Sequence, residues 1–172
     1  MATTHLSVAL GANLPSFAGS PRQTLMAVRT RLETLVGFWA ASASGGVSGT
    51  VQNGGHAIHY SWSPLLETMP MGGPPDQPTY LNAVVWITGE FGDPSSNQAL
   101  MLLDQLHALE REFGRRRDRE QRWGPRPLDL DVLFWGELRL DHPRLVLPHP
   151  RMHLRRFVLE PLLAAMQASA EW

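Results

Sequence analysis

An α+β sandwich with a central, mostly antiparallel sheet is the fold the sequence predicts, and three observations predict it. Strand-like and helix-like segments follow in the order β, α, β, β, α, β. The helices carry recognisable start and stop signals. The chain has 172 residues, 43% of them apolar and 18% charged, which is the size and composition of one globular domain with a sizeable core. That element order is of the ferredoxin-like kind.

Taken in order, Leu6–Leu10 is a short β-compatible run, stopped by the turn cluster Gly11-Ala12-Asn13-Leu14-Pro15. Ser20-Pro21-Arg22-Gln23 then supplies an N-cap serine, a proline at the first helical position and a glutamine three residues after the cap. Leu25, Val28, Leu32 and Leu35 follow at helical spacing, and this helix is expected to end near Gly37. Residues 37–73 shift to Gly, Ser, Ala and Pro, with β-prone pieces at Val47–Val51 and Ala57–Trp62. They are expected to form irregular strands with a long hairpin or loop, an insertion at the edge of one domain spanning residues 1–172. Tyr80–Phe91, rich in β-branched and aromatic residues, makes a central strand. Ser95 or Ser96 caps the next helix, whose stripe is Ala99, Leu102, Leu103, Leu106, Leu109 and Phe113 and whose end is Gly114. Beyond an arginine-rich loop, Leu128–Trp135 alternates and then becomes wholly apolar, as a further strand does. From Pro148 a loop leads to a short helix over Phe157–Met166 that packs back on the sheet.

Composition removes several functions. No apolar run approaches the roughly 18 residues of a membrane span, and Met1–Leu10 lacks the charged start and apolar length of a secretory signal. The expectation is a cytoplasmic protein with no membrane partner. The absence of cysteine excludes disulfide scaffolds, thiolate zinc sites and cysteine nucleophiles. Fifteen basic and 16 acidic residues leave a net charge of −1, which argues against a nucleic-acid partner held by bulk charge. All the basic residues are arginine, so the chain carries no phosphate-binding loop of the type that ends in lysine. Seven of the fifteen arginines fall between Arg111 and Arg126.

Chemistry concentrates there. Asp129 and Asp131, two apart on a strand, project from one face about 7 Å apart and repel each other. A hard divalent cation relieves that repulsion, and Mg²⁺ is typically held by one or two carboxylates plus substrate phosphates. Alone, the pair reads equally as the solvated face of an edge strand. The preceding loop adds arginine forks that match phosphate oxygens, which together suggest a nucleotide site. Alternatively, its charge is balanced internally by Glu110, Glu112, Asp118 and Glu120, or it binds RNA. Self-repelling and polar, the loop Arg115–Arg122 is expected to order only when a polyphosphate supplies countercharge. Trp123 either stacks on a heterocycle or anchors the loop to the core. His149, held between Pro148 and Pro150, is a phosphate donor or a surface turn residue; His107 and Glu110 lie on a ridge beside the buried stripe of the second helix.

The strings GRRRDREQRWGPRPLDLDVLFW and LPHPRMHLRRFVLEPL together resemble the signature region of the 6-hydroxymethyl-7,8-dihydropterin pyrophosphokinase family. LGANL, ETMPMG and QPTYLNAVV extend the resemblance over nearly the whole chain, while Ala12 and Pro127 depart from the family's usual serine and threonine. What the resemblance implies is an α/β/α enzyme that moves the terminal pyrophosphoryl group of ATP, its co-substrate, to the hydroxymethyl oxygen of 6-hydroxymethyl-7,8-dihydropterin and releases AMP. It implies a monomer, with two Mg²⁺ ions on Asp129 and Asp131. Arg115 and Arg126 match the catalytic-loop arginines, expected to act in the transition state and not in folding, and Trp123 matches the aromatic that closes over the site. Leu103, His107, Glu110, Arg117, Arg122 and Trp123, the last shared with the pterin, match ATP contacts, as do Val132, Leu145, His149 and, on the phosphate side, Arg155. The pterin is implied to lie against Gly11, Thr68, Pro70, Met71, Tyr80, Asn82 and Phe157, with the Asn82 amide offering both a donor and an acceptor. The other readings are an RNA-binding module and a non-catalytic interaction protein of the same fold.

Overall fold

The fold is seen in a computed structural model that describes residues 3–43 and 58–167. Strand β1 (Thr4–Ala12) starts two residues before the expected run and ends inside the turn cluster. It lies at the middle of an antiparallel sheet of order β2-β4-β1-β5, where β2 is His59–Trp62, β4 is Tyr80–Gly89 and β5 is Asp129–Trp135; β3 (Leu66–Thr68) also pairs with β4. With α1 (Pro21–Ala43) after β1 and α2 (Ser96–Glu112) after β4, this is the expected ferredoxin-like interleaving. β2 lies within Ala57–Trp62, whereas Val47–Val51 lies outside the described residues. The short pairs β3–β4 and β6 (Leu140–His142) with β7 (Leu145–Leu147) are not anticipated by the sequence, because three-residue strands carry too little periodicity to be read.

Two cores flank the sheet. Leu6, Val8 and Leu10 of β1 and Leu130, Val132 and Trp135 of β5 pack under α1 and α2. Val84 and Leu133 pack on the other face against Val158 and Leu162 of α3 (Arg156–Gln167), giving helix, sheet and helix layers.

The first helix corrects two expectations. It runs to Ala43 through Gly37, because Trp39 and Ala40 continue the buried stripe and their burial outweighs the roughly 1 kcal/mol that glycine costs in a helix. Its buried face is Leu25, Val28, Leu32 and Val36, while Leu35 is only partly buried. Trp39 closes this core against Trp135, edge to face at 4.8 Å, and its Nε1 donates to Gln98 O (3.0 Å). In α2 the expected signals hold: Ser95 caps it, its Oγ accepting from Gln98 N, and Gly114 at φ +94° follows its end. Among the described residues no helix is long and apolar enough to cross a membrane.

Candidate active site

Parity in β5 creates the site. Leu130 and Val132 enter the core under α1 and α2, so Asp129 and Asp131 stand on the opposite face, paired across the ladder with Gly11 and Ala9 of β1. Beside the first turn of α3, a cleft of about 500 Å³ opens on that face. Ala9, Gly11, Asn82 and the two aspartates give it a floor of sheet residues. One wall is Thr68–Met71, a second is Arg115, Arg117, Trp123 and Arg126, and a third is His149, Arg151, Arg155 and Phe157.

Arg115 is the hub of the second wall and anchors the start of the arginine loop, whose residues Arg116, Arg117, Asp118 and Arg119 are exposed. Only 2% of Arg115 is exposed. Its guanidinium donates to Glu110 Oε1 (2.7 Å), to Glu120 Oε1 and Oε2 (2.6 and 3.0 Å) and to Asp129 Oδ1. Burial alone would lower its pKa, but Asp129, Glu120 and Glu110 outweigh it and keep the group charged. Glu110, fully buried, also accepts from Arg117 Nε and Nη2 (3.0 and 2.6 Å) and from Leu130 N (2.8 Å). Countercharge thus comes from the protein at this end of the loop, as the internal-balance alternative required of Glu110 and Glu120. Glu112 instead pairs with Arg31 across the helices (2.7 Å).

The two aspartates differ in state. Enclosure by protein would raise the Asp129 carboxyl, but Arg115 and Arg126 (3.4 Å) hold it below the ordinary range. Asp131 has Arg155 at 3.9 Å as its ion-pair partner among the described residues, and enclosure, then the charge of Asp129, push its carboxyl up to about 7. Negative charge is therefore undercompensated at Asp131. Among the described residues no group of three or more His, Cys, Asp or Glu side chains is arranged to hold a metal. Two carboxylates facing an open cleft are a donor set that fits Mg²⁺ completed by substrate oxygens, not a closed protein cage.

At the other end the cleft is flat and aromatic. A Cβ at Gly11 would come to 3.4 Å from Asn82 Oδ1 and 3.8 Å from the Tyr80 ring, so glycine keeps this part of the floor level. Tyr80 OH donates to Gly124 O (3.0 Å), which places its ring beside the arginine loop. Phe157 carries the Arg155 guanidinium 5.6 Å from its ring centre. Asn82, 6% exposed, donates through Nδ2 to Thr68 Oγ1 (2.8 Å) and Leu66 O (3.3 Å). Its donors are therefore used by β3, and Oδ1, turned toward Gly11, is what it offers the cleft. That differs from the donor and acceptor pair the resemblance implies.

Of the residues expected at ATP, Arg117, Trp123, His149 and Arg155 line the cleft. His149 Nδ1 accepts from Arg151 N (3.1 Å), so in the neutral ring Nε2 carries the proton; burial, then Arg155, lower its pKa and keep it neutral. Glu110 lies behind the second wall, and Arg122 sits 4.5 Å over the Trp123 ring. His107 is half-buried on α2, its pKa lowered to about 4 by burial and then by Arg117, Arg115 and Arg144. Leu103 and Val132 are 6% and 3% exposed and pack in the interior, and Leu145 packs against the edge of the main core. The structure does not bring these three side chains to the cleft.

Three contributors escape the sequence reading. Arg151 lines the cleft, 6.0 Å from the Trp123 ring. Asn13, 2% exposed, accepts from Arg126 N (2.8 Å) and donates to Pro78 O (3.1 Å), while Arg126 O accepts from Asn13 N and Leu14 N. Gln77 Nε2 donates to Trp123 O (3.1 Å). Asn13 stands in a turn cluster that explains it locally, so only its partners 65 and 113 residues away reveal the second task.

Residues 7–167 match the family model described as 7,8-dihydro-6-hydroxymethylpterin-pyrophosphokinase (HPPK). A 2-amino-4-hydroxy-6-hydroxymethyldihydropteridine pyrophosphokinase of Pseudomonas aeruginosa is 49% identical over 100 residues, 58% of this chain and 56% of that protein. One of Haemophilus influenzae is 45% identical over 100 residues, 58% of this chain and 57% of that protein. A mitochondrial folate synthesis bifunctional protein of Arabidopsis thaliana is 36% identical over 116 residues, 67% of this chain and 18% of that protein. The chain thus spans about half the length of the bacterial relatives it matches. With a family match running from β1 to the end of α3, and with the fold and charged cleft described above, the chain belongs to the HPPK family.

Proposed function

We propose that this chain transfers the terminal pyrophosphoryl group of ATP to 6-hydroxymethyl-7,8-dihydropterin. The hydroxymethyl oxygen bonds to the β-phosphorus, the bond from that phosphorus to the α,β-bridging oxygen breaks, AMP leaves with the electron pair, and the hydroxyl proton is released. The observation that carries this reading is the division of one cleft into a flat aromatic end and an end where two carboxylates face several guanidinium groups. The names and family of the relatives support it.

In this reading Tyr80, Phe157 and Trp123 stack on the pterin, Thr68, Pro70 and Met71 wall it, Gly11 leaves room for it, and Asn82 Oδ1 accepts from its ring N–H groups. Arg117, Arg126 and Arg155 hold the phosphates, and His149 donates from Nε2. Arg115 and Glu110 act from behind, Arg115 by fixing Asp129 and Glu110 by fixing Arg115 and Arg117. Asp129 and Asp131 would hold two Mg²⁺ ions, which when bound would neutralise phosphate charge. Leu103, Val132 and Leu145 shape the ATP wall through packing, with His107 and Arg122 at its margin.

Incubation with ATP, Mg²⁺ and the pterin, with nucleotide products separated, tests the reading. AMP and the pterin diphosphate in equal amounts are expected; ADP, or no turnover, refutes it.

A further inference from the structure

We propose that Gln77 is a positioning residue whose side-chain amide clasps the loop between β3 and β4 to the arginine loop at Trp123, so that the two walls close as one unit. The pterin and ATP assignments of the two ends rest on the function proposed above; the clasp itself is a property of the ligand-free chain.

The starting observation is backbone strain. Trp123 has φ +57°, a left-handed conformation that a bulky side chain adopts only when its surroundings over-determine it. Those surroundings come from elsewhere in the chain. Gln77 Nε2 lies 3.1 Å from Trp123 O, and at the same distance from Gly72 O and Pro74 O. Three carbonyls around one nitrogen identify it as the NH₂ group and use it wholly as a donor. Trp123 also needs bare backbone opposite it: a Cβ at Gly72 would lie 3.2 Å from Trp123 Cε3, and one at Gly73 would lie 2.2 Å from Trp123 O. Both glycines are at φ +81°. One residue further on, Gly124 O accepts from Tyr80 OH and Arg126 Nε (3.0 and 3.2 Å).

Trp123 is thus gripped through its carbonyl by the β3–β4 loop, while its ring faces Arg122 and Arg151. Fixing either wall fixes the other, so a ligand that orders one end of the cleft lowers the ordering cost at the other.

The test uses the full chain and the variants Gln77→Glu, which sets a carboxylate against three carbonyls without changing size, and Gln77→Ala. The ligand-free readout is amide exchange at Gly124, whose N–H donates to Gln121 O (2.9 Å). Both variants are expected to exchange about tenfold faster there, as loss of one supporting hydrogen bond implies, with the melting temperature unchanged. The second readout is how far a non-hydrolysable ATP analogue with Mg²⁺ tightens pterin binding. That enhancement is expected to fall about fivefold or more in both variants, while each ligand alone binds within about twofold of wild type. Unchanged Gly124 exchange in both variants overturns the clasp, and an unchanged enhancement overturns its role in coupling the two ends. Wild-type protein that makes no AMP refutes the functional reading alone, since the exchange experiment still decides the clasp.

Discussion

Arg115 and Arg126 match the same loop motif, but their surroundings separate them. Arg115 is buried among Glu110, Glu120 and Asp129, and its removal leaves three carboxylates that Arg117, at Glu110, and Arg126, at Asp129, compensate only in part. Arg115→Ala is expected to cost about 3 kcal/mol or more of stability, read as a lower denaturant midpoint, in contrast to the purely catalytic role its motif implies. Arg126 has one pairing at 3.4 Å, and its backbone is held by Asn13 whatever its side chain. Arg126→Ala is expected to lower kcat by on the order of 10² while the melting temperature stays near wild type. The aspartates divide in the same way. Asp131→Asn removes the undercompensated charge, so stability should hold or rise while Mg²⁺-dependent nucleotide binding and turnover are lost. Asp129→Asn takes a partner from Arg115 and Arg126 and should lose stability as well as turnover; a thermal melt of the two variants side by side distinguishes them.

For whole elements, packing decided the boundaries. Gly37 lies inside α1, and a Cβ there would meet nothing within 4 Å. Gly37→Ala should therefore stabilise the protein by about 0.5–1 kcal/mol through backbone entropy, seen as a higher urea midpoint with unchanged slope. A lower midpoint would mean that the segment after Gly37 needs that flexibility. The arginine loop is anchored at both ends, by Arg115 among its carboxylates and by Arg126 on Asn13, so its variable part is confined to the residues between.

Across the whole molecule, His107 links the site to the pH dependence of folding. Its folded pKa is about 4 against an ordinary 6.5, so the unfolded chain takes up a proton that the folded chain refuses. Stability from this group is unaffected above about pH 6.5, falls as pH drops toward 4, and levels off below it. His107→Gln should lack that component, so the gap in denaturant midpoint between wild type and variant should change between pH 7 and pH 4. A constant gap would show that the ring protonates equally in both states.

Much of this was legible in the sequence because it is local. Alternation in β5 put both aspartates on one face, the Ser95 cap and Gly114 framed α2, and the RWGPR-x-LDLD string carried the family. The end of α1 was misread because a glycine signal is local while the burial of Trp39 and Ala40 that overrides it is not. Leu103 and Val132, matched to ATP contacts by the resemblance, are buried as their place in the apolar stripe of α2 and in the alternation of β5 requires. The contacts that divide Arg115 from Arg126, free only one face of Asn82 and join Gln77 to Trp123 are tertiary. They depend on which side chains share a low-dielectric space after folding, and that is settled by the sheet order β2-β4-β1-β5 bringing β1, β4 and the arginine loop together. The residue types and their spacing on each strand or helix were determined by the sequence itself; which charges compensate one another, and which donors remain for a ligand, was decided only by the tertiary structure, because electrostatic and hydrogen-bond energies depend on distance through space and not along the chain.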